Sequence, residues 1–227
     1  MRAYRRVLAD HGALSARRIL DVGAGDGWFA ETLISDLPHV EQVVCWDVNY
    51  DVDELVTTDP RVARTRTAPA PGFDLVLVLD VLEHVDDPDR FVTDQLCPVS
   101  GPGTPVLVAV PAHPGLFGEH DRALGHHRRY TITGLIEQVS PWIDVVDHGP
   151  LFTGLVPLRA AAVAAERVRH QPRATTDPHG VGGWNRGPVA TRMVRAPLAF
   201  DSAVTRRIGP LRRRVTGLSH WAYGYTR

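Results

Sequence analysis

A glycine-rich turn between two apolar stretches constrains this chain more than any other feature. The first stretch is Arg18–Val22, and Gly23, Gly25 and Gly27 follow it before a helix-like stretch that ends near Ser35. Glycine allows backbone angles that side chains disfavour, and it lets a ligand approach the main chain. The free N–H groups at the start of a helix also attract negative charge. The pattern predicts a strand, a turn and a helix of an α/β sheet, with a ligand at the turn.

A carboxylate follows the next apolar run. Asp47 comes directly after Gln42–Trp46 and lies 20 residues beyond Gly27. In doubly wound α/β sheets an acid at this place accepts the hydroxyls of a ribose that lies across the strand ends. The glycine turn and Asp47 together therefore predict a cofactor that contains a nucleoside.

The spacing of the glycines distinguishes between cofactors. The dinucleotide fingerprint is G-x-G-x-x-G/A, whereas this chain has G-x-G-x-G and places Trp28 where that fingerprint needs a small residue. Asp21 and Asp26 would repel a pyrophosphate but attract a cationic sulfonium or ammonium group. This argues against a nicotinamide-dependent oxidoreductase and favours a positively charged cofactor.

A second motif follows a strand further along the chain. Phe73–Leu79 is almost continuously apolar, as is typical of a strand buried on both faces. Asp80, Glu83 and His84 follow it, at the carboxyl edge where such sheets bind ligands. In the alternative interpretation, Glu83 and His84 only cap the next helix and hydrogen-bond to loops.

These motifs resemble those of the class I S-adenosylmethionine-dependent methyltransferases. The glycine turn resembles their first motif, and residues 73–85 resemble their "FDxVxxxDVLEHV" motif. Residues 120–131, "HDxxLGHxRRYT", resemble a bacterial subgroup of small methyltransferase-domain proteins, and the resemblance covers about residues 17–150. It implies S-adenosylmethionine as cofactor, held by Asp21, Gly23, Ala24, Gly25, Gly27, Trp28, Asp47, Val48, Asp80, Val81 and Leu82.

The resemblance also implies a fold. This is a Rossmann-like, doubly wound seven-stranded α/β sheet of order 3-2-1-4-5-7-6, in which strand 7 is antiparallel. Residues 1–150 and 217–227 would form this core. Many members of the family have a tight hairpin between strands 6 and 7, whereas the residues of this chain predict a basic helical insert there, over residues 151–216. The insert would contain a helix over Leu151–Arg169, a loop over His170–Pro188 and a second helix over Ala190–Ile208. The other predicted strands are Val62–Thr67, Pro105–Val110, Trp142–Val146 and His220–Tyr225, and the other predicted helices cover residues 1–12, 87–96 and 131–139.

Charge is distributed unevenly along the chain. Residues 1–150 hold 12 arginines and 23 acidic residues, whereas residues 151–216 hold 12 arginines and 3 acidic residues. The basic insert could bind an anionic or lipid-linked acceptor, or contact a membrane peripherally. Alternatively, its arginines offset the acidic core while its apolar face forms a homodimer. Nucleic acid is not an expected partner, because basic and aromatic residues are not closely interleaved.

Histidines concentrate in the loop after Pro105–Val110. His113 and His120 lie nearest the predicted mouth of the site, with His84 behind them. If the acceptor is a hydroxyl or an ammonium group, a histidine is suited to take its proton near neutral pH. Alternatively, the histidines bond to loop carbonyls. Asp121 and His126 are also metal-ligand types, but the spacing of these residues matches no metal signature, so no metal is predicted.

The remaining composition bounds the protein's class. Cys45 and Cys97 lie far apart, which favours a reducing cytoplasm over a disulfide framework. The polar start Met1–Arg18 does not resemble a signal peptide, and no apolar run reaches the roughly 18 residues of a membrane span. We expect a cytoplasmic enzyme that methylates an O or N atom of a small molecule by in-line displacement, with a histidine that removes the proton. The alternative is a non-catalytic S-adenosylmethionine-binding partner or sensor.

Overall fold

A single sheet organises the computed structural model, which describes residues 2–51, 57, 59–169 and 216–227. The predicted loop His170–Pro188 and helix Ala190–Ile208 lie outside the described residues. Part of the segment 48–61, for which the sequence leaves room for only a brief helix, also lies outside them.

The sheet has the predicted topology. Its order is β3-β2-β1-β4-β5-β7-β6. The pairs among β1 to β5 are parallel, whereas β7 is antiparallel to both β5 and β6. The fold prediction is therefore confirmed. The strands are β1 (Arg18–Val22), β2 (Gln42–Trp46), β3 (Val62–Thr65), β4 (Leu75–Leu79), β5 (Pro105–Pro111), β6 (Ile143–Leu151) and β7 (Ser219–Thr226).

The central strands are apolar because both of their faces are covered. In β1, Ile19 packs into the core on one face of the sheet, and Leu20 and Val22 pack into the core on the other. Burial of each such side chain contributes about 1.5–3 kcal/mol. Parallel sheets take their stability from two covered faces, and their carboxyl ends meet at one edge. The candidate site lies at this edge.

Strand β6 is longer than the sequence predicts. It continues past Val146 to Leu151, paired with β7 along its length, with a register shift between Val145 and Asp147. This end of the strand contains polar residues and Pro150, which an edge strand tolerates because one side of its backbone has no partner strand. A pattern of apolar residues alone cannot reveal such a strand end.

Helices cover both faces of the sheet. Val7 and Leu8 lie three and four residues after Tyr4, and these three side chains form the buried face of the first helix. Thr131 is the N-cap of α6, where its side chain accepts a hydrogen bond from the backbone N of Gly134 at 3.0 Å. The helices are α1 (Arg2–Asp10), α2 (Trp28–Asp36), α3 (Pro88–Phe91), α4 (Cys97–Val99), α5 (Glu119–Ala123), α6 (Ile132–Val139) and α7 (Val156–Arg169). The segment Val92–Leu96, between α3 and α4, is a π-helical turn.

The first helix of the insert, α7, attaches to the core mainly through polar contacts. Val163 is its buried residue. Arg159 donates to the carbonyl of Leu116 and pairs with Asp121, and Arg167 donates to the carbonyl of Gly115 at 2.8 Å. None of the described helices is both long and apolar enough to cross a membrane.

Candidate functional site

The glycine turn between β1 and α2 adopts the left-handed backbone that its sequence predicts. Gly23, Gly25 and Gly27 have φ values of +65°, +53° and +77°. A Cβ at Gly23 would lie 2.6 Å from Cγ2 of Val81, so this position needs glycine for space as well as for conformation. A Cβ at Gly25 would meet no atom within 4 Å. The turn therefore packs against the end of β4 at Gly23 and leaves open space at Gly25.

Asp47 joins the end of β2 to this turn. Its Oδ2 accepts a hydrogen bond from the backbone N of Gly25 at 3.0 Å, and its Oδ1 accepts one from the backbone N of Asn49 at 2.9 Å. Each carboxylate oxygen can accept a second hydrogen bond. Asp47 is thus held in a fixed orientation and keeps the capacity to accept two hydroxyl donors.

A cavity of about 390 Å³ lies beside the turn and Asp47. Its volume falls in the range of small-molecule and cofactor sites. Its wall combines main chain, carboxylates and apolar side chains, which suits a ligand with both polar and apolar parts. The lining residues are Val22, Gly23, Gly25, Trp46, Asp47, Val48, Asn49, Asp80, Val81, His84, Val85 and Phe91.

The cavity brings together six of the eleven predicted cofactor residues, namely Gly23, Gly25, Asp47, Val48, Asp80 and Val81. The other five, Asp21, Ala24, Gly27, Trp28 and Leu82, are not among its lining residues.

Those five lie around the cavity rather than on its wall. Trp28 begins α2 with 45% of its surface exposed, and a Cβ at Gly27 would meet the guanidinium of Arg64. Leu82 is buried, and its carbonyl accepts a hydrogen bond from Tyr130. Asp21 is buried within β1.

Other lining residues were not predicted from the sequence. Asn49 lies three residues beyond the end of β2. The rings of Trp46 and Phe91 stack with their centroids 6.4 Å apart. Adjacency to Asp47 could have indicated Asn49. Phe91 comes from α3, so only the tertiary fold brings it to the cavity.

Three carboxyl groups lie around this edge of the sheet, and two of them, Asp21 and Glu83, are buried. Asp21 is 3% exposed and its Oδ2 has no hydrogen-bond partner; burial and the nearby Asp47 raise its pKa to about 7. The third, Asp80, is exposed and accepts a hydrogen bond from the hydroxyl of Tyr4 at 3.3 Å. Burial and Asp80 raise the pKa of Glu83 to about 9. Such a cluster favours a positively charged ligand.

Asp80 also has an unusual backbone. Its φ is +55°, in the left-handed region that a side chain disfavours. Residues held in this conformation cluster at ligand sites, where the surrounding structure maintains the strain. The strained backbone of Asp80 is therefore a second local indication of a functional site, after the glycine turn.

Of the three predicted catalytic histidines, only His84 lines the cavity. Although His84 is exposed, partial desolvation of its ring and the neighbouring His126 lower its pKa, which favours the neutral ring near pH 7. Its ring centroid lies 4.6 Å from that of His126, with the two rings nearly perpendicular.

His113 and His120 lie elsewhere on the loop after β5. His113 has a φ of +64°; its Nε2 contacts the hydroxyl of Thr216, and its ring lies 5.6 Å from that of His220. His120 is in α5, where partial burial and the guanidinium of Arg159 lower its pKa. Neither ring lines the 390 Å³ cavity. Their catalytic role stays a prediction.

Asp121 holds this loop on the sheet. It is fully buried, and it accepts hydrogen bonds from the backbone N of Gly118 and from Nε of Arg129, both at 2.8 Å. His126 contributes a further contact from its Nδ1 at 3.1 Å. Burial alone would raise the pKa of Asp121, but the hydrogen bonds from His126 and Arg129 keep it well below the usual range. Asp121 is therefore a charged anchor beneath the loop.

Comparisons with known proteins agree with this geometry. A family model described as "Methyltransferase domain" matches residues 1–154. The ubiquinone biosynthesis O-methyltransferase of Hahella chejuensis is 32% identical over 88 residues, which cover 35% of this chain and 37% of that protein. The chain therefore matches little more than a third of the length of this curated relative.

Solved structures share the fold at low sequence identity. An S-adenosylmethionine-dependent methyltransferase from Mesorhizobium loti has a TM-score of 0.54 at 14% identity, over 94% of this chain and 91% of that one. Human N-acetylserotonin methyltransferase in complex with S-adenosylmethionine has a TM-score of 0.50 at 18% identity, over 62% of this chain and 46% of that one. At these identities the likeness shows the fold.

Proposed function

The chain belongs to the methyltransferase-domain family, and on that premise we propose that it transfers the methyl group of S-adenosylmethionine to an oxygen or nitrogen atom of a small-molecule acceptor. The observation that carries the proposal is the cavity lined by the glycine turn and by the carboxylates of Asp47 and Asp80. The comparisons support S-adenosylmethionine as the cofactor. The acceptor and the means of proton removal are the parts we propose.

The residues around the cavity fit this cofactor. Asp47 would accept the ribose hydroxyls, because both of its oxygens retain acceptor capacity. Gly25 leaves open space, so a ligand can approach the main chain there. Asp80 and Val81 would line the methionine end, and the acidic surroundings favour its positive charge. When bound, the cofactor supplies an electrophilic methyl group.

The protein's contribution to methyl transfer is alignment and proton removal. Apolar side chains such as Val85 and Phe91 exclude water from the cavity and restrict the orientation of the acceptor. His84 is the predicted catalytic histidine on the cavity wall, and its neutral imidazole can take a proton from a hydroxyl or ammonium. His113 and His120 would act only if the acceptor extends to their loop.

Two further observations support a proposal about the class of the acceptor. The name of the Hahella relative supports an oxygen atom as acceptor, although the match covers 37% of that protein. The arginines of the insert would suit an anionic or lipid-linked acceptor, a membrane surface or a homodimer contact. Arg159 and Arg167 are already engaged by loop carbonyls. Such a role would therefore rest on the other arginines.

A product assay tests this proposal. The protein is incubated with S-adenosylmethionine bearing an isotopically labelled methyl group and a panel of small phenols, alcohols and amines, and products are identified by mass spectrometry. We expect label on an O or N atom, together with S-adenosylhomocysteine, and a lower turnover number in His84→Ala. Cofactor binding without any labelled product would favour a sensor or partner protein, and label on carbon would contradict the proposed acceptor.

A further inference from the structure

Three side chains of metal-ligand type converge beside the cavity. Glu83 and His84 belong to the 3₁₀ turn Leu82–His84 after β4, and His126 follows α5. One ligand atom from each residue lies within 4.8 Å of the others. We call these three residues the Glu-His-His cluster. Residues 84 and 126 lie 42 positions apart in the chain, so no local sequence motif could have revealed it.

Glu83 gives the strongest indication that the cluster binds something. Its side chain is 0% exposed, and neither carboxylate oxygen has a hydrogen-bond partner among the described residues. A buried polar group without a partner is costly, and such groups are rare in folded proteins. A cation between this carboxylate and the two imidazoles would satisfy both oxygens. The carboxylate of Asp80, which lies close enough to act electrostatically on Glu83, adds to the attraction.

His126 is oriented as a ligand. Its Nδ1 lies 3.1 Å from Oδ1 of Asp121, and a carboxylate oxygen only accepts hydrogen bonds. Nδ1 therefore carries the proton, which leaves the lone pair of Nε2 free. Arg129 donates a hydrogen bond to the same oxygen and helps to hold Asp121 in place. A carboxylate that fixes the tautomer of a histidine in this way is the usual outer shell of a metal site.

His84 connects the cluster to the cavity. It is both a cavity-lining residue and a member of the cluster, and its ring lies edge-on to that of His126. An ion held by the three side chains would therefore sit at the cavity wall. Three protein ligands leave at least one coordination position for another molecule, as in catalytic zinc sites.

We propose that Glu83, His84 and His126 bind a divalent first-row transition metal ion such as Zn²⁺, with an open coordination position that faces the cavity. Two imidazoles and one carboxylate form a donor set that suits such ions rather than Mg²⁺ or Ca²⁺. The site itself does not depend on the proposed methyl transfer. If that function holds, His84 would act as a ligand of the ion and not as the base proposed above: a hydroxyl acceptor would bind the ion through its oxygen and release its proton to water, because the ion lowers the hydroxyl pKa.

The test is a Co²⁺ titration of the full-length protein after dialysis against a chelator. Co²⁺ held by nitrogen and oxygen ligands of a protein absorbs visible light. We expect saturation at one equivalent and displacement by Zn²⁺. Glu83→Gln, His84→Ala and His126→Ala should each weaken binding at least about tenfold. His127→Ala is the matched control, because His127 is the exposed neighbour that pairs with Asp86 instead.

Several results would overturn the proposal. The first is a wild-type spectrum without saturable Co²⁺ bands. The second is a Co²⁺ affinity in the folded Glu83→Gln and His126→Ala variants that equals the affinity of His127→Ala. Thermal melts identify any variant that does not fold. Azide should shift the bands by occupying the open position, and an unchanged spectrum would contradict that part. S-adenosylhomocysteine titrations of the same samples separate the two proposals. A protein that binds Co²⁺ but does not bind S-adenosylhomocysteine would refute the proposed function and leave the metal site standing.

Discussion

Gly23 lies where the cofactor turn approaches β4, so Gly23→Ala probes both the turn and the packing beneath it. The residue has a φ of +65°, and alanine there costs about 1–2 kcal/mol in backbone strain. The new Cβ would also lie 2.6 Å from Cγ2 of Val81. Overpacking of this kind costs about 1–3 kcal/mol. We therefore expect the free energy of unfolding to fall by about 2–5 kcal/mol.

Gly12 offers a matched control for the strain alone. Its φ is +71°, and a Cβ there would meet no atom within 4 Å. Gly12→Ala should therefore lose only about 1–2 kcal/mol. Urea unfolding followed by tryptophan fluorescence measures both values, and their difference isolates the contact with Val81. In Gly23→Ala/Val81→Ala, removal of the two Val81 methyl groups should recover most of that difference.

Equal losses in Gly23→Ala and Gly12→Ala would refute the reasoning, because the contact with Val81 would then contribute nothing. A double variant as unstable as Gly23→Ala would also contradict it.

Three further predictions follow from the same geometry. Gly25→Ala should lose about as much stability as Gly12→Ala. In calorimetry, however, Gly25→Ala should bind S-adenosylhomocysteine at least about tenfold more weakly than wild type, whereas Gly12→Ala should keep the wild-type affinity. The pKa of Asp21 is raised from 3.8 to about 7, so its contribution to stability is present below about pH 4 and is lost as the pH rises through 7. In urea unfolding, the free energy of unfolding of Asp21→Asn relative to wild type should therefore rise by about 2–4 kcal/mol between pH 4 and pH 7. The same difference at pH 4 and pH 8 would contradict this. Asp121→Asn should cost about 3–5 kcal/mol by leaving Arg129 buried without its charge partner, and a loss below about 1 kcal/mol would show that the anchor is unimportant.

Much of the fold could be predicted because its signals are local. The glycine turn, the apolar runs of β1 and β4 and the carboxylate at position 47 are each contiguous in the sequence. Their consequences follow from backbone freedom and from burial on both faces of a parallel sheet. The end of β6 was missed for the opposite reason. Residues 147–151, Asp-His-Gly-Pro-Leu, form no apolar run, and only their pairing with β7 makes them a strand.

The candidate site could be predicted only in part. Asp47 and Gly25 meet because neighbouring strand ends share one edge, which the order of the elements implies. The meeting of Glu83 with His126 depends on how the loop after β5 folds over Asp121. The complete burial of Glu83 runs against the usual exposure of charged residues. No periodicity in the sequence encodes these contacts.

The most direct test of the account is calorimetric titration of the protein with S-adenosylhomocysteine, in wild type and Asp47→Ala. Asp10→Ala, at the exposed end of α1, is the control for loss of a carboxylate. The account predicts micromolar binding in wild type and in the control. Asp47→Ala should bind at least about tenfold more weakly, since hydrogen bonds to a charged group contribute about 1.5–3 kcal/mol. A folded wild-type protein that binds NADH but not S-adenosylhomocysteine would contradict the account, and so would equal affinities in all three proteins.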